Sequence, residues 1–151
     1  MLCKISMNYF DDIYKRLDIQ NYPYGESYYN DYIPGVLKEL DEKKLTKMDQ
    51  GALCLFVKGS KVPLMLVKSD GGYNYDTTDM ACAHVRLNEW KGERLIYITD
   101  VGQFEHFDKI FKGAESAGWY DPKKQKMEHM GFGVILGEDG KRMKTRSGDT
   151  V

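Results

Sequence analysis

The sequence contains little of what marks secreted, membrane-spanning or zinc-binding proteins. Its three cysteines, Cys3, Cys54 and Cys82, lie far apart and form no Cys-x-x-Cys or Cys/His grouping. This pattern argues against both a disulfide framework and a zinc site. No segment approaches the roughly 18 consecutive apolar residues of a membrane-spanning helix, and the first residues lack the apolar core of a signal peptide. We therefore expect a soluble, cytoplasmic protein with no membrane partner and no metal site.

A strong net charge of either sign is also absent. The chain has 22 basic and 23 acidic residues, which gives a net charge of -1. Any contact with nucleic acid must then come from local patches, which argues against a dedicated nucleic-acid coat protein. What is present is 42% hydrophobic and 30% charged content over 151 residues. That balance suits one globular domain with a sizeable core.

The first part of the chain has the patterns of two helices and a hairpin. Apolar residues at helical spacing predict amphipathic helices over about 7–18 and 33–43. Two short apolar runs, at 53–57 and 62–67, are separated by a glycine-containing turn. This arrangement predicts a β-hairpin.

The second part alternates helical and strand patterns. We predict a helix over about 77–90, a strand over 94–99, a helix over 104–117 and a strand over 131–136. Together with the strand at 62–67, the order is strand, helix, strand, helix, strand. Such an order indicates an α/β fold with parallel strands and right-handed crossovers.

Polar segments follow the predicted strands at 69–79, 100–106 and 137–151. In an open parallel sheet, ligands bind beyond the carboxyl ends of the strands. Tyr75 and Asp79 lie four residues apart at a helix entrance, where both could face one ligand. There Asp79 could bind a cation, and Tyr75 could stack or donate a hydrogen bond. The last segment is a glycine-rich basic loop typical of phosphate binding, and its cations are Lys141, Arg142, Lys144 and Arg146.

Each of these candidates also has a structural interpretation. Asp76 and Asp79 could simply cap their helix and favour its dipole. Gln103 and His106 could be surface residues in the first turn of a helix, and the other two histidines could be packed or solvated. The loop at 137–151 could be a solvated tail.

Five segments of the chain, taken in order, resemble the arginyl-tRNA synthetases. These are class I aminoacyl-tRNA synthetases with a Rossmann-type catalytic domain. Five ordered segments are a far more specific signal than a single glycine-rich motif. The segments are GESYY at 25–29, VKSDGGYNYDTTD at 67–79, IYITDVGQFEH at 96–106, GAESAGW at 113–119 and HMGFGVILGEDGKRMKTRSG at 129–148.

The resemblance implies an arginine–tRNA ligase. Such an enzyme activates L-arginine with ATP and then transfers it to tRNA(Arg) in protein synthesis. Mg²⁺ accompanies the ATP, and no tightly bound cofactor is expected. By position, Tyr75, Asp79 and Gln103 fall where the family binds arginine. A carboxylate suits a guanidinium group because it can accept two parallel hydrogen bonds, and an amide and a phenol can complete the set.

The resemblance also assigns ATP-binding residues. Gly131, Phe132 and Gly133 resemble the strand end against which the adenine lies, where a small residue lets the base approach the backbone. The segment 142–146 resembles the family's version of the class I KMSKS loop, whose cations stabilise the charge that develops on the phosphates. Lys144 and Arg146 are the expected catalytic cations, and Lys141 is a further ATP contact.

Other parts of the family pattern are missing from the 151 residues. None of the histidines lies in the His-x-Gly-His motif that cradles ATP, and the tRNA-binding and anticodon-binding domains are absent. We therefore expect the central section of a longer, monomeric enzyme, inactive by itself. Residues 1–66 would be an insertion segment, and residues 67–151 the second half of an incomplete nucleotide-binding fold. The alternative is a non-catalytic relic of a synthetase that acts as a binding or interaction module.

Overall fold

The computed structural model describes residues 2–134, 136 and 140, and it begins with helices. Helix α1 covers Leu2–Arg16, a 3₁₀ segment covers Glu26–Tyr32, and helix α2 covers Ile33–Glu42. Both predicted helices are confirmed, although α1 begins before residue 7. Pro34 stands in the first turn of α2, where its missing N–H is not needed.

An antiparallel sheet of three strands follows the helices. Strand β1 covers Thr46–Asp49, β2 covers Ala52–Leu55, and β3 covers Leu64–Val67. The predicted hairpin is confirmed as the pair β2–β3, in which Cys54 lies opposite Met65. The sequence did not predict β1, because its four residues are largely exposed and carry no apolar alternation.

The second part of the chain contains a parallel strand pair flanked by helices. Strand β4 pairs with β5 in parallel, so that Tyr97 lies opposite His129. The elements, in order, are helix α3 at Tyr75–His84, a π-helical turn at Val85–Glu89, β4 at Arg94–Asp100, a 3₁₀ turn at Val101–Gln103, helix α4 at Phe104–Ser116 and β5 at Lys126–Phe132. The α/β class is thereby confirmed.

Two details of the predicted sheet were wrong. Among the described residues, β3 pairs antiparallel with β2 in the first sheet and does not join the parallel pair. The short connection between β2 and β3 favours that pairing, which periodicity alone cannot reveal. The last strand was placed at 131–136, but β5 begins at Lys126 and ends at Phe132. The residues of β5 are largely charged or exposed, so they form no continuous apolar run from which a strand could be predicted.

Helix α3 lies at the centre of the molecule. Met80, Ala81, Cys82 and Ala83 are consecutive, and all four are buried. The helix packs against α2, β3 and α4, so it is covered on several sides and has no single apolar stripe. The core cluster includes residues from both segments that the sequence analysis separated at residue 66, and that division stays a prediction. Among the described residues, no helix is both long and apolar enough to cross a membrane.

Candidate functional site

A cavity of about 680 Å³ opens between the 3₁₀ segment, helix α3 and the start of helix α4. All three residues that the family resemblance assigns to arginine, Tyr75, Asp79 and Gln103, line it. The first two come from α3, and Gln103 comes from the turn before α4. The remaining lining residues are Tyr24, Glu26, Tyr29, Thr78, Cys82, Arg86, Gly102 and His106.

Asn74 fixes the start of α3. Its side-chain Oδ1 accepts a hydrogen bond from the backbone N–H of Tyr75 at 2.8 Å, and its own backbone N–H donates to the Thr77 hydroxyl at 3.3 Å. This is a capping box with Asn74 as the cap. The interpretation of Asp76 and Asp79 as helix caps is therefore wrong, and both carboxylates have other partners.

Asp76 is almost fully buried, with 4% of its surface exposed. Its Oδ2 accepts a hydrogen bond from the backbone N–H of Met65 at 2.8 Å. Its Oδ1 lies 3.1 Å from Nδ1 of His106, close enough for an ion pair, although the ring N–H is not well aligned with that oxygen. A buried carboxylate needs such a partner, because an unpaired charge in the interior is costly.

His106 connects Asp76 to Asp79. Its Nε2 lies 2.6 Å from Oδ2 of Asp79, and 11% of its side chain is exposed. Burial of the ring opposes its charge, but the contacts with the two carboxylates outweigh burial and raise the pKa of His106 to about 9. At neutral pH the ring is therefore an imidazolium, whose Nε2–H donates to Asp79 and whose positive charge attracts Asp76.

The interpretation of His106 as a surface residue is thus wrong. The sequence contained a signal, since His106 follows Gln103 by three residues, a spacing at which a residue at the start of a helix and one in its first turn can face the same side. Tyr75 also contacts the histidine, with the two ring centroids 4.9 Å apart in an edge arrangement. His106 therefore touches two of the three residues assigned to arginine.

Arg86 lines the cavity from the π-helical turn that follows α3. Its Nε donates to the Tyr29 hydroxyl at 3.3 Å, and its guanidinium lies over the rings of Tyr29 and Tyr97 at 5.8 and 5.4 Å. Stacking of this kind holds a cation in place while its charge stays available. Arg86 could not be predicted as a site residue from the sequence, because no spacing rule links it to Tyr29. The neighbouring Cys82 thiol is buried, which raises its pKa and keeps it protonated.

The residues assigned to ATP lie elsewhere or outside the described part of the chain. Gly131 and Phe132 end strand β5, and none of Gly131, Phe132 or Gly133 lines the cavity. A Cβ at Gly131 would lie 2.8 Å from Cα of Val101, so glycine allows the turn that carries Gln103 to pack against β5. A Cβ at Gly133 would meet no atom of the described residues within 4 Å. The predicted positions Lys141, Lys144 and Arg146 fall outside the described residues.

Within residues 2–134 and the two further described positions, no group of three or more His, Cys, Asp or Glu side chains is placed to hold a metal ion. In nucleotide-activating enzymes, Mg²⁺ is commonly held through substrate phosphates and water.

The fold and the cavity agree with a comparison with known protein families. The family of class I tRNA synthetases (R), catalytic domain, matches residues 1–151. The chain belongs to this family.

Its relatives include arginine–tRNA ligases. The chain is 47% identical to the arginine–tRNA ligase of Protochlamydia amoebophila over 99% of its own length, and 49% identical to the cytoplasmic arginine–tRNA ligase of Xenopus tropicalis over 100%. The crystal structure of arginyl-tRNA synthetase from Plasmodium falciparum superposes with a TM-score of 0.82 at 41% identity, over 89% of this chain and 24% of that one. The chain spans 27% and 23% of the two curated relatives, so it matches a segment of such enzymes.

Proposed function

We propose that this chain forms the arginine-binding part of an arginine–tRNA ligase that activates L-arginine with ATP and transfers it to tRNA(Arg). One observation supports the proposal most strongly. Tyr75 and Asp79 on α3 and Gln103 on the turn before α4, which the family resemblance assigns to arginine, line a single cavity. Its volume of about 680 Å³ lies within the usual range for small-molecule sites.

The charge around Asp79 supports a cationic ligand. Asp76 and Asp79 carry two negative charges and the His106 imidazolium carries one positive charge, which leaves a net charge of -1 for this group. A guanidinium group would neutralise it and could donate a charge-assisted hydrogen bond to Oδ1 of Asp79, since Oδ2 is bonded to His106. Tyr75 and Gln103 would supply the neutral contacts that fix the orientation of the substrate.

ATP would lie beyond the end of strand β5. The described residues around Gly133 leave room for the adenine against the backbone, where the family resemblance would put it. Lys141, Lys144 and Arg146 would contact the phosphates, with Lys144 and Arg146 stabilising the charge that develops during adenylate formation. Mg²⁺ would accompany the ATP and supply further charge neutralisation.

We further propose that the chain acts within a longer, monomeric, cytoplasmic enzyme, and that the 151 residues by themselves do not catalyse arginylation. The two curated relatives named above are about four times as long as this chain. The cytoplasmic assignment follows the names of relatives such as the Xenopus tropicalis enzyme. The alternative function is a standalone, non-catalytic relic of a synthetase that acts as a binding or interaction module. An intact upstream coding sequence that contains the His-x-Gly-His motif would exclude it.

The proposal is tested by Asp79→Asn in the longer enzyme. The variant should raise the KM for arginine by about 100-fold or more, because it removes a charge-assisted contact with the guanidinium, and it should leave the KM for ATP unchanged. ATP–pyrophosphate exchange in the presence of tRNA measures both constants. Asp108→Asn is a matched control, since Asp108 lies on α4 in a half-exposed ion pair with Lys112 outside the cavity. Equal effects on both substrates, or no effect, would contradict the proposal.

A further inference from the structure

His106 occupies a position that the chemistry of arginine binding does not by itself require. It lies at the wall of the cavity, but its two ring nitrogens face carboxylates and not the open space. One carboxylate, Asp76, is buried and bound to the backbone of β3 through Met65. The other, Asp79, is about one-third exposed.

From this arrangement we propose that His106 is a positioning residue, which ties the Asp79 carboxylate to the buried Asp76 and so holds it in the orientation that receives a guanidinium. The inference rests on the proposed function, because it assumes that Asp79 is the arginine contact. His106 bonds to Oδ2 of Asp79, and Oδ1 remains for the ligand. Without the ring, the Asp79 side chain would be free to change rotamer.

The connection runs through three separate elements. The backbone N–H of Met65 on β3 donates to Asp76 on α3, and Asp76 faces Nδ1 of His106 on α4. Nε2 of His106 faces Asp79, which lies one turn further along α3. The ring itself is held by edge contacts with Tyr75 and Phe107, whose centroids lie 4.9 and 5.0 Å away. A side chain fixed on so many sides loses little further freedom when a ligand binds, which is the basis of preorganisation.

The charges near the ring support this role. Asp76 and Asp79 are the ionisable groups that contact it, and Glu26 and Arg86 line the same cavity from the 3₁₀ segment and the π-helical turn. An imidazolium donates from Nε2 to Asp79 and at the same time attracts Asp76 through its charge, whereas a neutral ring would lose that attraction. The raised pKa of His106 keeps the ring in the charged form at neutral pH.

The first experiment measures the kinetics of His106→Gln in the longer enzyme by ATP–pyrophosphate exchange. Glutamine can still donate one hydrogen bond but carries no charge. We expect the KM for arginine to rise about 10- to 100-fold, while kcat and the KM for ATP change less than about twofold. His84→Gln is a matched control, because His84 also pairs with a carboxylate, Glu39 at 3.1 Å, but lies outside the cavity. It should lower stability without changing the KM for arginine.

A second experiment does not depend on the variant being active. NMR titration of the 151-residue chain follows the three histidine rings, and the His106 signal is identified by its loss in His106→Gln. We expect the His106 ring to titrate near pH 9 in the native chain and closer to its ordinary value in Asp79→Asn. A native His106 that titrates near 6.5, or an unchanged KM for arginine in His106→Gln, would overturn the positioning role and leave the arginine proposal standing. If His106 titrates near pH 9 but Asp79→Asn leaves the KM for arginine unchanged, the proposed function would be overturned instead.

Discussion

Nε2 of His106 lies 2.6 Å from Oδ2 of Asp79, although 27 residues separate them in the sequence. The contact joins the first turn of α4 to the second turn of α3 at the wall of the cavity. It gives the candidate arginine contact a fixed partner. It also makes the charge of the site depend on the protonation of one histidine.

The stability of the chain should depend on pH through His106. The folded-state pKa of about 9 lies above the ordinary value of 6.5, so the stabilisation is fully present below pH 6.5 and is lost as the pH rises through 9. The shift corresponds to a loss on the order of 3 kcal/mol in the free energy of unfolding. Urea denaturation between pH 6 and 10 measures it. The difference between the native chain and His106→Gln should shrink at high pH, and a constant difference would contradict the ion-pair account.

The cap of α3 should contribute measurably to stability. Asn74→Ala removes the side-chain acceptor for the Tyr75 N–H and should lower the free energy of unfolding by about 1 kcal/mol. Asn21→Ala, in an exposed loop, is the matched control and should change it by less than about 0.5 kcal/mol. Urea denaturation compares the two variants. Similar effects would mean that Asn74 does not act as a cap.

Two helical glycines should respond in opposite directions to alanine. In α2, a Cβ at Gly35 would meet nothing within 4 Å, so Gly35→Ala should stabilise the chain by about 0.5–1 kcal/mol through helix propensity. In α4, a Cβ at Gly113 would lie 3.1 Å from side-chain atoms of both Leu55 and Met80, which are fully buried. Gly113→Ala should therefore destabilise by about 1–3 kcal/mol. Thermal unfolding of the two variants tests this, and a shared direction would refute the packing argument.

The two glycines at the end of β5 should also differ. Gly131→Ala would place Cβ 2.8 Å from the Val101 backbone, so we expect a loss of about 1–3 kcal/mol in stability and a higher KM for arginine as the Gln103 turn shifts. Gly133→Ala enters open space and should change stability by less than about 0.5 kcal/mol, while it raises the KM for ATP if the adenine lies there. Urea denaturation and pyrophosphate exchange separate these effects. Identical behaviour of the two variants would remove the basis for assigning them different roles.

Much of the fold could be predicted from local patterns. Apolar periodicity located the helices, including α4 with its apolar face, and the turn at 58–61 indicated the β2–β3 hairpin. Strand pairing was harder to predict, because tertiary contacts determine which strands are neighbours in a sheet. For that reason β3 was assigned to the parallel strands, although it pairs with β2. Strands β1 and β5 were missed or misplaced because their charged or exposed residues break the apolar pattern.

Some residues of the candidate site could likewise be predicted from the sequence, and others could not. The family pattern led to Tyr75, Asp79 and Gln103, which line one cavity. It gave no sign that Asn74 caps α3, because neighbouring aspartates are equally good caps on sequence alone. The contacts of His106 with two carboxylates and of Arg86 with Tyr29 depend on how separate elements pack. Spacing within one helix cannot predict contacts of that kind.

We propose that this cavity selects a guanidinium group through Asp79. Calorimetric titration of the longer enzyme with L-arginine and with L-citrulline, whose side chain has nearly the same shape but no charge, measures that selectivity. We predict that arginine binds at least about 100-fold more tightly, and that Asp79→Asn abolishes most of this preference while Asp108→Asn retains it. Equal binding of arginine and citrulline, or a full preference retained in Asp79→Asn, would contradict the claim.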